Sequence, residues 1–275
     1  MVDLIQNPVR RLFAFGCSFT NYQATTWPEI IAEHLDIPFF NFGKGGTGNL
    51  FSFNQIMMAD SYYNFTDQDL VIVCWTNIYR TDSFQQGLWQ ALGNVNFKKD
   101  MANFDLEYYA LRDYTFIELV DKFLTHKKCQ YHFLSMCDLD QTLDSNLEFR
   151  PIYTGMNTLQ SKIQPSFYKV LWNNNLQNKF ELNRQRYSER FIEFHPSPQE
   201  HYNYLCDTFG NIFSKDLKMK VYGLEKTYYN FWTELLNDST GEIGFHTIGQ
   251  DQHEMLKELT TLRRPENYGF WLPKI

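Results

Sequence analysis

Residues 70–75 read LVIVCW. Every position is apolar, and Val, Ile and Trp suit extended backbone. A strand with no polar side has both faces covered, as in a parallel sheet lying between helices. Working outward, Leu12–Phe15, Ile37–Phe42 and Tyr131–Met136 read as three further strands of the same kind. Helical signals lie between them. Thr26-Trp27-Pro28-Glu29 matches an S/T-x-x-E capping box with proline in the first turn, and Trp27, Ile30, Ile31 and Leu35 follow at helical spacing. Residues 49–59 read as a helix with Leu50, Phe53 and Met57 inward, and 105–125 as a long amphipathic helix. Strand and helix alternate, so the expected fold is α/β, a three-layer α/β/α sandwich around a mainly parallel sheet.

Downstream the pattern weakens. Residues 138–190 are polar and rich in Asn and Gln, and read as loops with one or two helices. Ser197-Pro198-Gln199-Glu200 repeats the capping-box logic and opens a helix through Tyr204, Leu205 and Phe209. After Gly210, helices are expected around Leu224–Leu236 and His253–Leu262. The expected organisation is an α/β domain over 1–210 and a largely helical C-terminal extension over 211–275 packed on it, burying Phe231, Trp232 and Trp271.

A chain of 275 residues, 43% hydrophobic and 21% charged, can bury a full core. Its net charge is −7 and it has no basic stripe, so no nucleic-acid partner is expected. Residues 1–15 hold Asp3, Asn7, Pro8 and two arginines, which leaves no apolar segment for a signal peptide. No apolar run approaches the roughly 20 residues of a membrane span, so no membrane partner is expected either. The five cysteines show no metal-type spacing and read as reduced thiols. A cytoplasmic or virion-associated protein is the expectation. The 17% aromatic content, with abundant Asn, is compatible with an AT-rich genome, phage genomes included.

Three features follow predicted strands directly: Ser18, the loop Gly43–Gly48, and Thr76-Asn77. In a doubly wound sheet, ligands bind outside the carboxyl ends of the strands. Each feature alone is a common turn element, but together they line one sheet edge. The glycine loop lacks the spacing of a phosphate-binding P-loop. A fourth element, Phe194-His195-Pro196, sets a histidine before a capped helix. A serine hydroxyl needs a base to take its proton, and a tetrahedral oxyanion needs preorganised donors. His195 could be that base. The Ser18 N–H, a glycine N–H and the Asn77 side-chain amide could be those donors.

In these blocks the chain resembles the SGNH (GDSL-type) hydrolase superfamily: GCSFT at 16–20, NFGKGG at 41–46, WTN at 75–77 and IEFHPSP at 192–198. The resemblance covers roughly residues 10–210 and implies a flavodoxin-like sandwich and hydrolysis of a carboxylic ester, such as an acetyl ester on a carbohydrate. It implies Ser18 as nucleophile, Gly46 and Asn77 in the oxyanion hole, and His195 as base. No cofactor is expected, and no metal, because the histidines and carboxylates show no ligand spacing. The partners expected are a small-molecule or glycan ester, with virion or homo-oligomer contacts. The alternative is a weakly active or inactive member of the fold kept for structure or binding, for example a phage virion component.

The chain departs from the family pattern. Cys17 stands where GDS has Asp, the third block is WTNIYR, and Ile192 occupies the position of the acid before the histidine. Glu193, a backbone carbonyl or water are the candidates for orienting His195. His246 is the runner-up base. Asp251 and His253 lack a third metal ligand nearby, and His201 reads as structural. Arg80 reads as a rim residue paired with an acid, or as a contact for an anionic or sugar substrate.

Overall fold

The computed structural model describes residues 3–78, 80–94, 106–139, 159–267 and 269. In chain order its elements are β1 (Arg11–Gly16), α1 (Trp27–Leu35), β2 (Phe39–Asn41), α2 (Asn49–Tyr63), β3 (Asp69–Trp75), β4 (Arg80–Gln85), β5 (Leu88–Asn94), α3 (Leu106–Lys127), β6 (Gln130–Ser135), α4 (Phe167–Trp172), α5 (Leu176–Arg186), α6 (Pro198–Phe209), α7 (Lys215–Asp238), a 3₁₀ turn (Phe245–Thr247) and α8 (Gln250–Thr260). They fall into two compact units. Of the described residues, one unit takes those within Leu4–Asn21, within Ile37–Ser166 and from Pro265 on; the other takes Tyr22–Asp36 and Phe167–Arg264, together with Asp3.

The first unit holds a four-stranded sheet in the order β2-β1-β3-β6. All of its pairings are parallel, with Leu12 opposite Phe39 and Leu70, and Leu70 opposite Gln130. The four strands are the ones the sequence pattern marks. The class is α/β, a mainly parallel sheet with helices around it, in keeping with the three-layer sandwich, and the strand order is flavodoxin-like. Alternate residues point to opposite faces. Phe13, Phe15, Val71, Val73, Trp75 and Phe133 pack on one face with Ile56 and Ala59 of α2 and Ile117, Val120 and Leu124 of α3. Leu12, Ala14, Leu70, Ile72, Cys74 and Leu134, of the opposite parity, are buried as well. Each fully buried large side chain stabilises the fold by about 1.5–3 kcal/mol. On α2, Phe53 and Met57 are half-buried and pack against this core as expected; Leu50 is half-buried, and Phe51, Ile56 and Ala59 are buried.

The antiparallel hairpin β4–β5 has no counterpart in the sequence reading. Its two-residue turn is Gln86-Gly87, both at positive φ (51° and 78°), the conformation that twists a tight hairpin correctly. The sequence hides it because β4 (RTDSFQ) is polar and does not alternate.

The second unit is helical. Its core joins Tyr22, Ala24, Phe191, Tyr228, Phe231, Trp232, Leu236, Ile243 and Leu256. Phe231 and Trp232 are buried as expected, whereas Trp271 lies outside the described residues. The capping box at Ser197 forms: Ser197 Oγ accepts from the Glu200 N–H (3.4 Å) and Glu200 Oε2 from the Ser197 N–H (2.8 Å). The one expected at Thr26 does not form. Glu29 turns away instead, and its Oε2 accepts from Thr25 Oγ1 (3.1 Å) and from the backbone N–H of Leu262 (2.9 Å) and Arg263 (3.3 Å). A carboxylate engaged with the chain after α8 cannot also reach back to the N-cap. Among the described residues no helix is long and apolar enough to cross a membrane.

Candidate active site

In the order β2-β1-β3 the chain turns one way from β1 and returns past it to β3, so the carboxyl ends of β1 and β3 flank a topological switch point. Ser18 follows β1 and Asn77 follows β3. The turn after β1 is closed by the Thr20 and Asn21 N–H groups, both donating to the Cys17 carbonyl (2.9 and 3.1 Å). It requires glycine at 16. There φ is +149°, and a Cβ would sit 2.3 Å from Thr20 Oγ1 and 2.7 Å from the Cys74 carbonyl oxygen. Ser18 is buried at this turn.

Asn41, at the end of β2, ties the second loop to the first. Its Nδ2 donates to the Thr20 carbonyl (2.9 Å) and its Oδ1 accepts from the Gly43 N–H (3.0 Å). The Lys44 N–H donates to the Gly16 carbonyl at 3.0 Å. Gly45 then passes Ser18 closely: a Cβ on Gly45 would lie 3.9 Å from Ser18 Cβ. Gly46 adopts φ +76°, with Ala91 of β5 at 3.4 Å from its Cβ position. The hairpin braces this loop. Lys44 Nζ donates to the Trp89 carbonyl (2.7 Å), and Asp82 accepts from the N–H groups of Gly48 (2.7 Å) and Phe51 (2.9 Å), capping α2.

Asn77 is half-buried, and its carbonyl accepts from the Arg80 N–H at 3.1 Å. The residue before it is fixed from both sides. Asn49 Oδ1 accepts from the Thr76 N–H (2.8 Å), while Asn49 Nδ2 donates to the Thr76 carbonyl (3.0 Å) and to Asp113 Oδ2 (2.8 Å). Burial raises the Asp113 carboxyl to about 6 against the opposing pull of Arg112 and Asn49. The buried Arg80 guanidinium donates to the Thr47 carbonyl (3.1 Å) and reaches Met136 Sδ (3.7 Å), and its charge helps to lower the Asp82 carboxyl against burial.

His195 and Glu193 belong to the helical unit, and both are buried. Glu193 Oε1 receives three donors: the Phe194 N–H (2.8 Å), the His195 N–H (2.8 Å) and His195 Nδ1 (2.6 Å). Burial alone would raise the Glu193 carboxyl, but the His195 charge and these hydrogen bonds outweigh it and hold the group at about 2. An ionised carboxylate only accepts, so Nδ1 carries the proton and Nε2 of a neutral ring is bare. Asn183 Nδ2 donates to the Glu193 carbonyl and anchors the segment. The Ile192 N–H donates to the Ile243 carbonyl at 2.9 Å.

Nothing in the spacing or motifs singles out Tyr22. It stands four positions after Ser18 in the chain, and its ring stacks on His195 with centroids 4.2 Å apart. Its phenol is pushed well above the ordinary value by burial and by the Glu193 charge. His201 is buried, and burial, with the nearby His195 and Lys179, lowers it to about 3. His246 is exposed, with its ring 5.9 Å from that of Phe194. Among the described residues no cluster of His, Cys, Asp or Glu could hold a metal ion.

No protein-family model and no curated protein matches the chain. Among solved structures it is similar to an acetyl xylan esterase from the rumen bacterium Butyrivibrio proteoclasticus, at 14% identity and a TM-score of 0.35, with 74% of this chain and 65% of that chain covered. The chain thus spans under two-thirds of that structure's length.

Proposed function

We propose that the protein is an SGNH-type serine hydrolase that cleaves a carboxylic ester. The observation that carries this is the buried Glu193–His195 pair, with Nδ1 held at 2.6 Å by an ionised carboxylate and Nε2 left to accept a proton. In the reaction, Ser18 Oγ attacks the ester carbonyl carbon as His195 Nε2 takes its proton. The oxyanion is met by the Ser18 and Gly46 N–H groups and the Asn77 side-chain amide. The tetrahedral adduct collapses to an acyl-serine, and His195 returns the proton to the departing alcohol. Water, deprotonated by the same imidazole, then releases the acid and restores Ser18. Glu193 holds the ring tautomer and stabilises the imidazolium formed at each attack. With Glu193 in this role, the family's acid position can be Ile192 without leaving the imidazole unoriented. An acetyl ester on a carbohydrate is the first substrate class to assay, on the strength of the four sequence blocks.

The test is labelling of the full chain with a fluorophosphonate, alongside hydrolysis of a short nitrophenyl ester. Labelling that maps to Ser18 and vanishes in Ser18→Ala and His195→Ala supports the reading. A folded protein that neither labels nor hydrolyses overturns it and favours the alternative, a protein kept for structure or binding such as a virion component.

A further inference from the structure

We propose that Tyr22 and Phe194 clamp the His195 imidazole between two aromatic faces and favour its imidazolium form, which makes Tyr22 a positioning residue for the base. This rests on the reading of His195 as the general base, and deepens it.

The geometry is that of a sandwich. The Tyr22 ring lies 4.2 Å from the imidazole, centroid to centroid, at an interplanar angle of 23°. The Phe194 ring lies 4.3 Å away at 28°. A six-membered ring this close covers most of one imidazole face. Two of them on the same face would overlap, so they occupy opposite faces. Phe194 in turn stacks on His246 (5.9 Å, 29°), extending the column toward solvent. Glu193 fixes the imidazole along its Nδ1 edge, and the two rings fix its plane. Edge and plane together set where Nε2 points.

The clamp also discriminates between protonation states. An aromatic face carries partial negative charge and attracts a cation held over it, more strongly when both are out of water. Tyr22 and His195 are both buried. The neutral ring gains little from this attraction and the imidazolium gains most. Imidazolium is the form created as the Ser18 proton moves, so the benefit is larger in the transition state than in the resting enzyme.

Among the described residues of this unit, the titratable groups near the His195–Glu193 pair come from several segments. Glu193 comes from His195's own segment and Tyr22 from the stretch before α1. His201 of α6 acts on His195, Tyr228 of α7 on Glu193, and His246 of the 3₁₀ turn lies across Phe194. Burial keeps His201 neutral, and burial followed by the Glu193 charge keeps the Tyr22 and Tyr228 phenols neutral. Lys179, behind His201, is paired with Glu200 at 2.5 Å.

The experiment is a nitrogen NMR titration of the His195 ring in the full chain without substrate. Tyr22→Leu removes one face and should move the titration midpoint to lower pH by about one unit. Tyr22→Phe keeps the face and loses the hydroxyl that hydrogen-bonds Glu193, so its midpoint should move much less than that of Tyr22→Leu. In ester hydrolysis Tyr22→Leu should lower kcat about tenfold with KM unchanged, and Tyr22→Phe should restore it. A folded Tyr22→Leu with an unmoved midpoint overturns the proposal, and so does a Tyr22→Phe shift as large as that of Tyr22→Leu. If Tyr22→Leu does not fold, Phe194→Leu applies the same titration to the opposite face, with the same expected and overturning results. Because the titration needs no turnover, its outcome is separate from that of the esterase reading, which Ser18 labelling decides.

Discussion

His195 Nδ1 lies 2.6 Å from Glu193 Oε1, and only Phe194 separates the two residues in the chain. A carboxylate that short a distance upstream normally points elsewhere. Here it is bent back onto its own backbone, accepting from two successive N–H groups as well as from the ring. Glu193→Gln removes the charge and can present an N–H₂ to Nδ1, which favours the wrong tautomer. Turnover of a short activated ester should then fall by roughly 10³–10⁴. Adding Ile192→Asp to that variant should not restore it, because Ile192 packs against Gly244: a Cβ on Gly244 would lie 3.0 Å from Ile192 Cγ1. Steady-state kinetics of the single and double variants check both statements. Unchanged turnover in Glu193→Gln would remove the carboxylate from the mechanism.

The Asn49 side chain is the sole described partner on both sides of one buried residue, Thr76. Asn49→Ala strands the Thr76 N–H and C=O together with an oxygen of Asp113. Each buried polar group left unpaired costs about 1–3 kcal/mol, so a loss of about 2–4 kcal/mol is expected from urea unfolding. Any surviving activity should fall as well, since the backbone that presents Asn77 is no longer held.

Most of the sheet was legible in the sequence. LVIVCW and LFAF lie in strands buried on both faces, which need apolar side chains at every position, whereas YHFLSM is half-buried at Tyr131 and His132 and buried from Phe133 on. Ser18, Gly46 and Asn77 could be placed because each directly follows such a strand or its loop. The hairpin escaped because β4 is polar and, after the buried Arg80, half-buried to exposed, so no alternating burial pattern marks it. The capping box at Thr26 fails for a different reason: Glu29 is claimed by Leu262 and Arg263, and a contact that remote leaves no local mark. Tyr22 carries no signal at all, because stacking on His195 depends on tertiary placement and not on spacing. Glu193 could be named as one candidate among three, since periodicity does not reveal a carboxylate that turns onto its own backbone.

Gly16→Ala probes the turn that carries Ser18. The new methyl would sit 2.3 Å from Thr20 Oγ1 and 2.7 Å from the Cys74 carbonyl oxygen, at a φ of +149° that only glycine tolerates. Thr20 could rotate away, but the Cys74 carbonyl belongs to β3 and cannot. Destabilisation of about 2–4 kcal/mol is expected, read by thermal or urea unfolding. Gly45→Ala is the contrasting variant: its Cβ meets only Ser18 Cβ, at an ordinary 3.9 Å. It should fold normally, and any defect should appear in ester turnover. Equal stability of the two variants would mean that the turn is not constrained as described.

The last prediction concerns pH. Glu29 is half-buried, and loss of solvation raises its carboxyl to about 7 from an ordinary 4.5, against hydrogen bonds from Arg263, Leu262 and Thr25. Glu193 is shifted the other way, to about 2. Between pH 4.5 and 7 the folded chain keeps a proton on Glu29 that the unfolded chain has released, so Glu29 makes stability fall as pH rises through this window. The full effect is roughly 3 kcal/mol by pH 8. Glu193 contributes stability that is present above pH 4.5 and lost as pH falls toward 2. These two groups together favour maximum stability near pH 4.5–5, on the acid side of neutrality. Glu29→Gln keeps an oxygen for the Leu262 and Arg263 N–H groups and has no proton to release. It should match wild type at pH 5 and exceed it at pH 8 in urea unfolding. If wild type and Glu29→Gln lose stability in parallel between pH 5 and 8, Glu29 is not the group that titrates there.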